Sequence, residues 1–367
     1  MSAFSPAYRA EADALDARVR AAIAGYVLDD AAFDRLACDI CAHQLRWNAP
    51  YAAYARARGF SLDTLPCTPG DIPAVPAAAF KEAALSTAGE HASALWFETS
   101  GTTSGRGGRH YLESADLYDA ALVAGFDRAL LPDGARLRYL LLVADVRERP
   151  HSSLGYMMDR IAALRGDGRD GRYVHGDDLA FDAFLHDARA AIDGDVAVCI
   201  AATAFALVAV LDALDARGAR LQLPAGSRIM ETGGFKGRTR VVERDELYAR
   251  AAARFGVPTS SIVAEYGMTE LCSQYYDSFA SRTQGRRIKA APPWLRAIVV
   301  DAHGQAAPPG VIGAIRHIDC ANRSSVVAVD TEDLGALTAD GLVLIGRDRG
   351  AELRGCSLDA EDLAARA

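Results

Sequence analysis

Lysine is scarce in this sequence of 367 residues. It occurs only at Lys81, Lys236 and Lys289, against 37 arginines, and none follows position 289. Any chemistry that requires a cation in the C-terminal part of the chain must therefore use arginine or a second molecule.

An excess of basic charge and a long apolar run are also missing. The formal net charge is -8 and the sequence pI is about 5.5, which argues against a surface for nucleic acid or anionic lipid. The longest apolar run, 196–211, is shorter than the roughly 20 residues that span a bilayer, and it predicts a buried strand followed by a helix. The N-terminus lacks the basic-then-apolar layout of a signal peptide. We therefore expect a cytoplasmic protein that has no membrane span and binds no nucleic acid.

The cysteines show no framework of disulfide spacings. Their number is odd, and in a protein expected to be cytoplasmic this indicates free thiols. The seven positions are Cys38, Cys41, Cys67, Cys199, Cys272, Cys320 and Cys356.

The pattern of apolar residues divides the chain into three parts. Residues 1–60 have helical periodicity, and a proline-rich connector follows them. Alternating strand and helix patterns then predict an α/β architecture with helices packed on a mixed sheet. After Pro292 the pattern changes to short strands separated by turns. We expect an N-terminal helical segment (1–60), a main body (61–345) and a short tail (346–367).

A loop rich in glycine and hydroxyl side chains follows a short apolar strand, in the segment 97–111. Glycines let backbone N–H groups turn toward an anion, and serine and threonine add donors, so the loop predicts a phosphate site. It has no Gly-Lys-Ser/Thr ending and does not fit the Walker pattern. A flexible polar loop is the alternative reading of the segment taken alone.

The segment 97–111 resembles the phosphate loop of the adenylate-forming superfamily, which includes acyl-CoA synthetases, peptide-synthetase adenylation domains and luciferases. Three further segments follow in the order of that superfamily. Residues 230–236 (METGGFK) resemble its adenine-pocket segment, and residues 265–270 (EYGMTE) resemble its Tyr-Gly-x-Thr-Glu segment. Residues 329–335 (VDTEDLG) resemble its Thr-Gly-Asp-Leu-Gly turn, with Glu332 in place of glycine.

The resemblance implies a binding site for ATP and Mg2+. In it, Thr269 donates to the α-phosphate, Glu270 is the ligand of Mg2+, and Asp333 binds the ribose hydroxyls. Each of these residues taken alone would have an ordinary structural explanation. The residues implied to contact the nucleotide are Thr99, Ser100, Gly101, Thr102, Thr103, Ser104, Gly105, Gly233, Gly234, Tyr266, Gly267, Asp333 and Arg347.

One branch of the superfamily, the acyl-protein synthetases of the LuxE type, is similar to the chain over most of its length. The similarity includes the ending Arg354-Gly-Cys-Ser-Leu358, which follows the hinge-like Gly346-Arg-Asp348. Members of the branch form an acyl-adenylate and carry the acyl group as a thioester on a cysteine near the C-terminus. By position that cysteine is Cys356, and Cys272 is its rival.

Larger members of the superfamily close a C-terminal domain over the site and use its lysine during adenylation. This chain has only 21 residues after Gly346 and no lysine there, so the resemblance implies a large-domain fold with a truncated tail. Arg106, Arg109, Lys236, another basic residue or a partner protein must then meet the developing phosphate charge. We include Arg109 among the catalytic residues.

These observations predict a ligase that converts a carboxylic acid, by resemblance a fatty acid, and ATP to acyl-AMP and pyrophosphate. The acyl group would pass to the Cys356 thiol for delivery to an acyl reductase or a carrier protein. Two alternatives stay open. One is direct transfer of the group to coenzyme A or a carrier's phosphopantetheine, and the other is a non-catalytic nucleotide-binding scaffold.

Overall fold

The computed structural model describes residues 4–65, 68–99, 107–176, 178–233 and 243–347. Its longer elements in chain order are α1 Pro6–Gly25, α2 Asp30–Trp47, α3 Ala49–Ala57, β1 Val75–Pro76, β2 Leu95–Glu98, β3 Arg109–Leu112, α4 Asp116–Leu130, β4 Arg138–Ala144, α5 Ser153–Arg165, β5 Gly171–His175, β6 Asp178–Leu179, α6 Phe181–Asp193, β7 Val198–Thr203, α7 Ala204–Ala216, β8 Arg228–Thr232, α8 Arg244–Phe255, β9 Ile262–Tyr266, β10 Tyr275–Asp277, α9 Phe279–Thr283, β11 Lys289–Ala290, β12 Leu295–Val300, β13 Gly313–Asp319, β14 Ala328–Thr338 and β15 Gly341–Arg347.

The chain divides into two compact units. Unit 1 comprises Met1–Ala124, Gly267–Tyr275 and Lys289–Ala367, and unit 2 comprises Gly125–Tyr266 and Tyr276–Ile288. Both units combine segments that are distant in sequence, whereas the expected division at residues 60 and 345 follows chain order. That division stays a prediction.

Unit 1 begins with the helices α1, α2 and α3, in the stretch for which the sequence predicts helix. The side chains of Ser5, Asp29 and Asn48 cap them by accepting backbone N–H groups of the first turns. Apolar residues at helical spacing, such as Phe33, Leu36 and Ile40, are buried. The sequence pattern and the caps therefore account for these helices together.

The strands of unit 1 are mainly antiparallel. β12, β13, β14 and β15 pair in that order, β11 pairs with β15, and β1 lies parallel to β14. β2 and β3 form a separate hairpin. The segment 329–335, which resembles a turn of the superfamily, lies inside β14 instead, and the pairing of β14 with β15 shifts register between Leu334 and Gly335.

Unit 2 contains a parallel sheet. β5, β4, β7, β8 and β9 are neighbours in that order, and β6 adds an antiparallel edge. The helices α6, α7 and α8 contribute to one apolar core with residues such as Leu140, Ile200 and Ile229 from the strands. Nearly continuous apolar strands are typical of buried parallel sheets. The expected α/β fold class is confirmed.

Membrane insertion by a helix has no support in the described residues. None of their helices combines the length and the apolar character that crossing a bilayer requires.

Candidate active site

The two ends of the glycine-rich loop meet in unit 1. The backbone N–H of Thr99 donates to the carbonyl of Gly108 at 2.9 Å, and the N–H of Gly108 donates to Thr99 Oγ1 at 2.8 Å. A Cβ atom on Gly107 would lie 2.5 Å from the Thr99 carbonyl oxygen, so only glycine fits there. The β2–β3 hairpin thus holds both ends of the loop, while the predicted site residues Ser100, Gly101, Thr102, Thr103, Ser104 and Gly105 lie outside the described residues.

Arg109 leaves the loop on the first residue of β3. Its guanidinium lies over the Trp96 ring, 4.7 Å from the centroid, and 3.9 Å from carboxylate oxygens of both Glu90 and Glu98. A hydrogen bond with Tyr111 raises its pKa further. Arg109 is therefore a permanent cation at the base of the loop, with 42% of its side chain exposed.

Thr269 and Glu270 are the central residues of a β-turn in unit 1. The N–H of Leu271 donates to the carbonyl of Met268 at 3.1 Å and closes the turn. Glu270 is not among the non-glycine residues with positive φ, so the turn does not have type II geometry. Glu270 is buried and Thr269 is half-buried.

Two buried side chains contact the backbone carbonyl groups of the two central residues of this turn. His110 Nδ1 lies 2.8 Å from the carbonyl oxygen of Thr269, and Asn322 Nδ2 donates to that of Glu270 at 2.9 Å. His110 Nε2 lies 2.8 Å from Asn322 Oδ1, which also accepts from the thiol of Cys272 at 3.5 Å. Burial lowers the pKa of His110 to about 4, so the ring is neutral at pH 7 and donates one hydrogen bond.

Sequence reasoning missed His110 and Asn322. They lie far from the turn in sequence, and Asn322 belongs to none of the segments that the sequence singled out. His110 directly follows Arg109 and the loop, which is the one sequence signal that could have drawn attention to it.

A buried carboxylate holds the residues that follow the turn. Asp319 accepts from the backbone N–H of Cys272 at 2.9 Å, from the Ser273 hydroxyl at 2.8 Å and from the N–H of Ala321 at 3.0 Å. Trp294 Nε1 donates to the Ser273 hydroxyl at 3.0 Å. Burial raises the pKa of Asp319 to about 6, against the opposing effect of these hydrogen bonds.

Cys272 has the environment of an inert thiol. The residue is fully buried, and burial raises the pKa of its thiol well above the ordinary value. Because the thiolate is the nucleophilic form, this environment disfavours Cys272 as an acyl acceptor.

Asp333 and Arg347 lie opposite each other in unit 1. They are register partners on the antiparallel strands β14 and β15. The backbone N–H of Asp333 donates to the Thr331 hydroxyl at 3.2 Å. A Cβ on the nearby Gly335 would lie 2.8 Å from the carbonyl oxygen of Val343, so this glycine permits the close approach of the two strands.

Gly233 and Tyr266 belong to unit 2. Gly233 directly follows β8, and Tyr266 is the last residue of β9. The two strands are adjacent and parallel, and Thr232 of β8 is the register partner of Glu265 of β9. The Thr232 hydroxyl donates to the Glu265 carboxylate, and Gly233 has a φ of 79°. Ligands of open parallel sheets bind at the carboxyl ends of the strands, where both residues lie. Gly267 is the first residue of the unit 1 segment that carries the turn, and Gly234 lies outside the described residues.

The sequence model of one family, described as Acyl-protein synthetase, LuxE, matches residues 178–363, just over half of the chain. The chain belongs to this family. The resemblance stated from the sequence is thereby confirmed. No curated protein matches the chain.

Solved structures of adenylate-forming enzymes are similar in fold to this LuxE-family chain. McyG A-PCP complexed with phenylalanyl-adenylate matches with a TM-score of 0.50 and 17% identity, over 70% of this chain and 47% of the other. The o-succinylbenzoate CoA synthetase MenE from Bacillus subtilis gives 0.49 and 19%, over 70% and 49%. The amide bond synthetase McbA from Marinactinospora thermotolerans gives 0.49 and 18%, over 71% and 50%. The LuxE-family chain spans about half the length of these structures, and at these identities the likeness concerns the fold.

The donor set of this LuxE-family chain fits Mg2+ held together with a nucleotide. Mg2+ is usually bound through one or two carboxylates and substrate phosphates, and Glu270 supplies one carboxylate in unit 1. The described ranges contain no group of three or more His, Cys, Asp or Glu side chains arranged for a metal, so they offer no cage formed by protein alone. Cys356, Lys236 and Arg106 lie outside the described residues, and the role of Cys356 stays a prediction.

Proposed function

We propose that this chain uses ATP to convert a carboxylic acid to an acyl-adenylate and then transfers the acyl group to a thiol. The observation that carries the proposal is the contact of His110 with Thr269 at 2.8 Å. It joins the strand that leaves the glycine-rich loop to the turn of Thr269 and Glu270, and the sequence assigns both segments to ATP. Family membership supports the same activity.

In the first step, a carboxylate oxygen of the acid attacks the α-phosphorus of ATP. A carbon-oxygen-phosphorus link forms, the bond from the α-phosphorus to the bridging oxygen breaks, and pyrophosphate leaves. The loop 99–105 would cradle the phosphates, and the Thr269 hydroxyl would donate to the α-phosphate. Glu270 would hold Mg2+, which when bound neutralises phosphate charge, and Asp333 would bind the ribose.

Arg109 is our candidate for the cation that meets the developing phosphate charge. It lies at the base of the loop and stays protonated. The two carboxylates at 3.9 Å are too distant for short ion pairs and leave hydrogen-bond donors for a phosphate oxygen.

In the second step, the Cys356 thiolate would attack the acyl carbon, forming a thioester as AMP leaves. The buried thiol of Cys272 supports this choice, because its raised pKa disfavours the reactive form. A fatty acid is the substrate class, and an acyl reductase or a carrier protein is the receiving partner, that the family resemblance favours.

Two measurements test the proposal. A panel of fatty, aryl and amino acids should include one that supports exchange of pyrophosphate into ATP, and Glu270→Gln should slow that exchange by about a hundredfold or more. Failure of the whole panel, with and without candidate partners, would favour the scaffold alternative.

Covalent labelling tests the thioester. An alkyne-tagged acid with ATP should label the protein, neutral hydroxylamine should remove the label, and peptide mapping should place it on Cys356. Acyl-adenylate formation without covalent label would favour direct transfer to coenzyme A or a carrier. Label that persists in Cys356→Ser and is removed by neutral hydroxylamine, or label that maps to Cys272, would show that the assignment is wrong.

A further inference from the structure

We propose that His110 and Asn322 are positioning residues that set the orientation of the Thr269–Glu270 turn for nucleotide-bound Mg2+. The inference rests on the proposed function, because it assigns these residues to the site that Thr269 and Glu270 would form. Both side chains are fully buried, and both belong to unit 1 together with the turn.

Glu270 at the third position already disfavours the type II form, which requires a positive φ there, and buried side chains add a second constraint. In a β-turn the hydrogen bond from the fourth residue to the first leaves the carbonyl groups of the second and third residues unused. Rotation of the peptide between those two residues interconverts type I and type II geometry, and it would redirect the Thr269 carbonyl and the Glu270 backbone. The bond that closes the turn, from Leu271 to Met268, does not prevent this rotation.

His110 and Asn322 supply the constraint. His110 contacts the Thr269 carbonyl at 2.8 Å, and Asn322 donates to the Glu270 carbonyl at 2.9 Å, so both unused carbonyl groups are held by side chains. Rotating the peptide would remove the Thr269 carbonyl from His110 inside a buried environment, where an unmade hydrogen bond is costly. The backbone that carries Glu270 is thereby held in one geometry.

The proposal requires the neutral His110 ring to carry its proton on Nδ1. Both partners of the ring, the Thr269 carbonyl and Asn322 Oδ1, are acceptors, so a neutral ring donates to only one of them, and the proposal assigns that N–H to Nδ1. Two substitutions separate the ring nitrogens. The amide nitrogen of asparagine occupies about the place of Nδ1 and that of glutamine about the place of Nε2, so His110→Asn keeps the donor to Thr269 and His110→Gln loses it.

The experiment measures the affinity of the full chain for ATP by calorimetry, with Mg2+ and with a chelator in its place. The ratio of the two dissociation constants is the Mg2+ enhancement. We expect His110→Gln and Asn322→Ala to lower it by about ten- to hundredfold, the range found when groups that orient a metal ligand are removed. His110→Asn should stay within about threefold of wild type.

Tyr275→Phe is the matched control. It removes a buried hydrogen bond between the Tyr275 hydroxyl and His317 Nδ1 at 2.9 Å, at the end of the same segment 267–275. Its Mg2+ enhancement should equal that of wild type, whatever its melting temperature. An equal loss in Tyr275→Phe, or an unchanged enhancement in His110→Gln and Asn322→Ala, would overturn the proposal.

Two further outcomes are distinguishable. If His110→Gln does not fold, the Mg2+ enhancement of His110→Asn is compared with that of Asn322→Ala. Equal enhancements in these two variants overturn the proposal. If wild type itself shows no Mg2+ enhancement, the proposed function fails and this inference fails with it, before any variant is compared.

Discussion

In unit 2 the helices α6, α7 and α8 pack on a parallel sheet through apolar side chains, whereas in unit 1 the turn of Thr269 and Glu270 packs against buried polar ones. Apolar packing is non-directional and tolerates many arrangements of similar volume. Buried hydrogen bonds are directional, and each group that loses its partner is costly. The buried hydrogen bonds of unit 1 therefore place a backbone segment more precisely than apolar packing does, but they tolerate fewer substitutions.

The comparison predicts that the largest loss of stability follows removal of Arg323 from unit 1. Its guanidinium is buried and forms ion pairs with Asp16 at 2.6 Å and Glu113 at 2.7 Å. Arg323→Ala leaves both carboxylates without this cation and should lower the free energy of unfolding by about 3–5 kcal/mol, measured in urea. Arg217→Ala, which breaks an exposed pair with Asp182, should cost less than about 1 kcal/mol. Equal losses would remove the contrast between buried and exposed pairs.

A core substitution in unit 2 supplies the apolar side of the comparison. Leu211 on α7 is fully buried in the apolar core, and Leu211→Ala should cost about 2–5 kcal/mol. Since no charge is removed, the loss measured by urea unfolding should be the same at low and high salt. A loss that depends strongly on salt would contradict the description of this core as apolar.

Asp319→Asn tests the directional bonds with almost no change in volume. The amide NH2 of asparagine would face one of the N–H or O–H donors that the carboxylate now accepts, and the free energy of unfolding should fall by about 1–3 kcal/mol. Asp301→Asn is the control, because that exposed carboxylate also accepts two backbone N–H groups, from His303 and Gln305. If the exposed substitution costs as much as the buried one, burial does not determine the cost.

The last prediction concerns pH. Burial lowers the pKa of His317 to about 3, below the unfolded value of about 6.5, so its contribution to stability is complete above pH 6.5 and is lost as pH falls toward 3. Between pH 7.5 and pH 5, His317→Gln should therefore lose about 2 kcal/mol less stability than wild type. Asp319 is present in both proteins, so its titration cancels from the difference. The free energy of unfolding is measured in urea at both pH values. If wild type and His317→Gln lose the same amount between pH 7.5 and pH 5, the lowered pKa of His317 is contradicted.

Some elements could be predicted from the sequence because their cause is local. Residues 1–60 were expected to be helical, and α1, α2 and α3 lie there. The run 196–211 was expected to be a strand followed by a helix, and it forms β7 and α7.

For the candidate site, the sequence by itself determined the order of the segments and the chemistry of their side chains. Glycine, hydroxyl and carboxylate groups have the same donors and acceptors in any fold, and residues 99–105, 269–270 and 333 therefore stay predictions of an ATP site. The family could also be inferred from these segments, and the match over 178–363 confirms it.

Only the tertiary structure decided which residues meet. His110 reaches Thr269 across 159 positions, and Asn322 reaches Glu270 across 52. Asp333 faces Arg347 because of a register shift that the glycine at 335 permits. A buried hydrogen bond depends on distance and direction between groups that the chain brings together only when it folds, and no local pattern of residues encodes that direction.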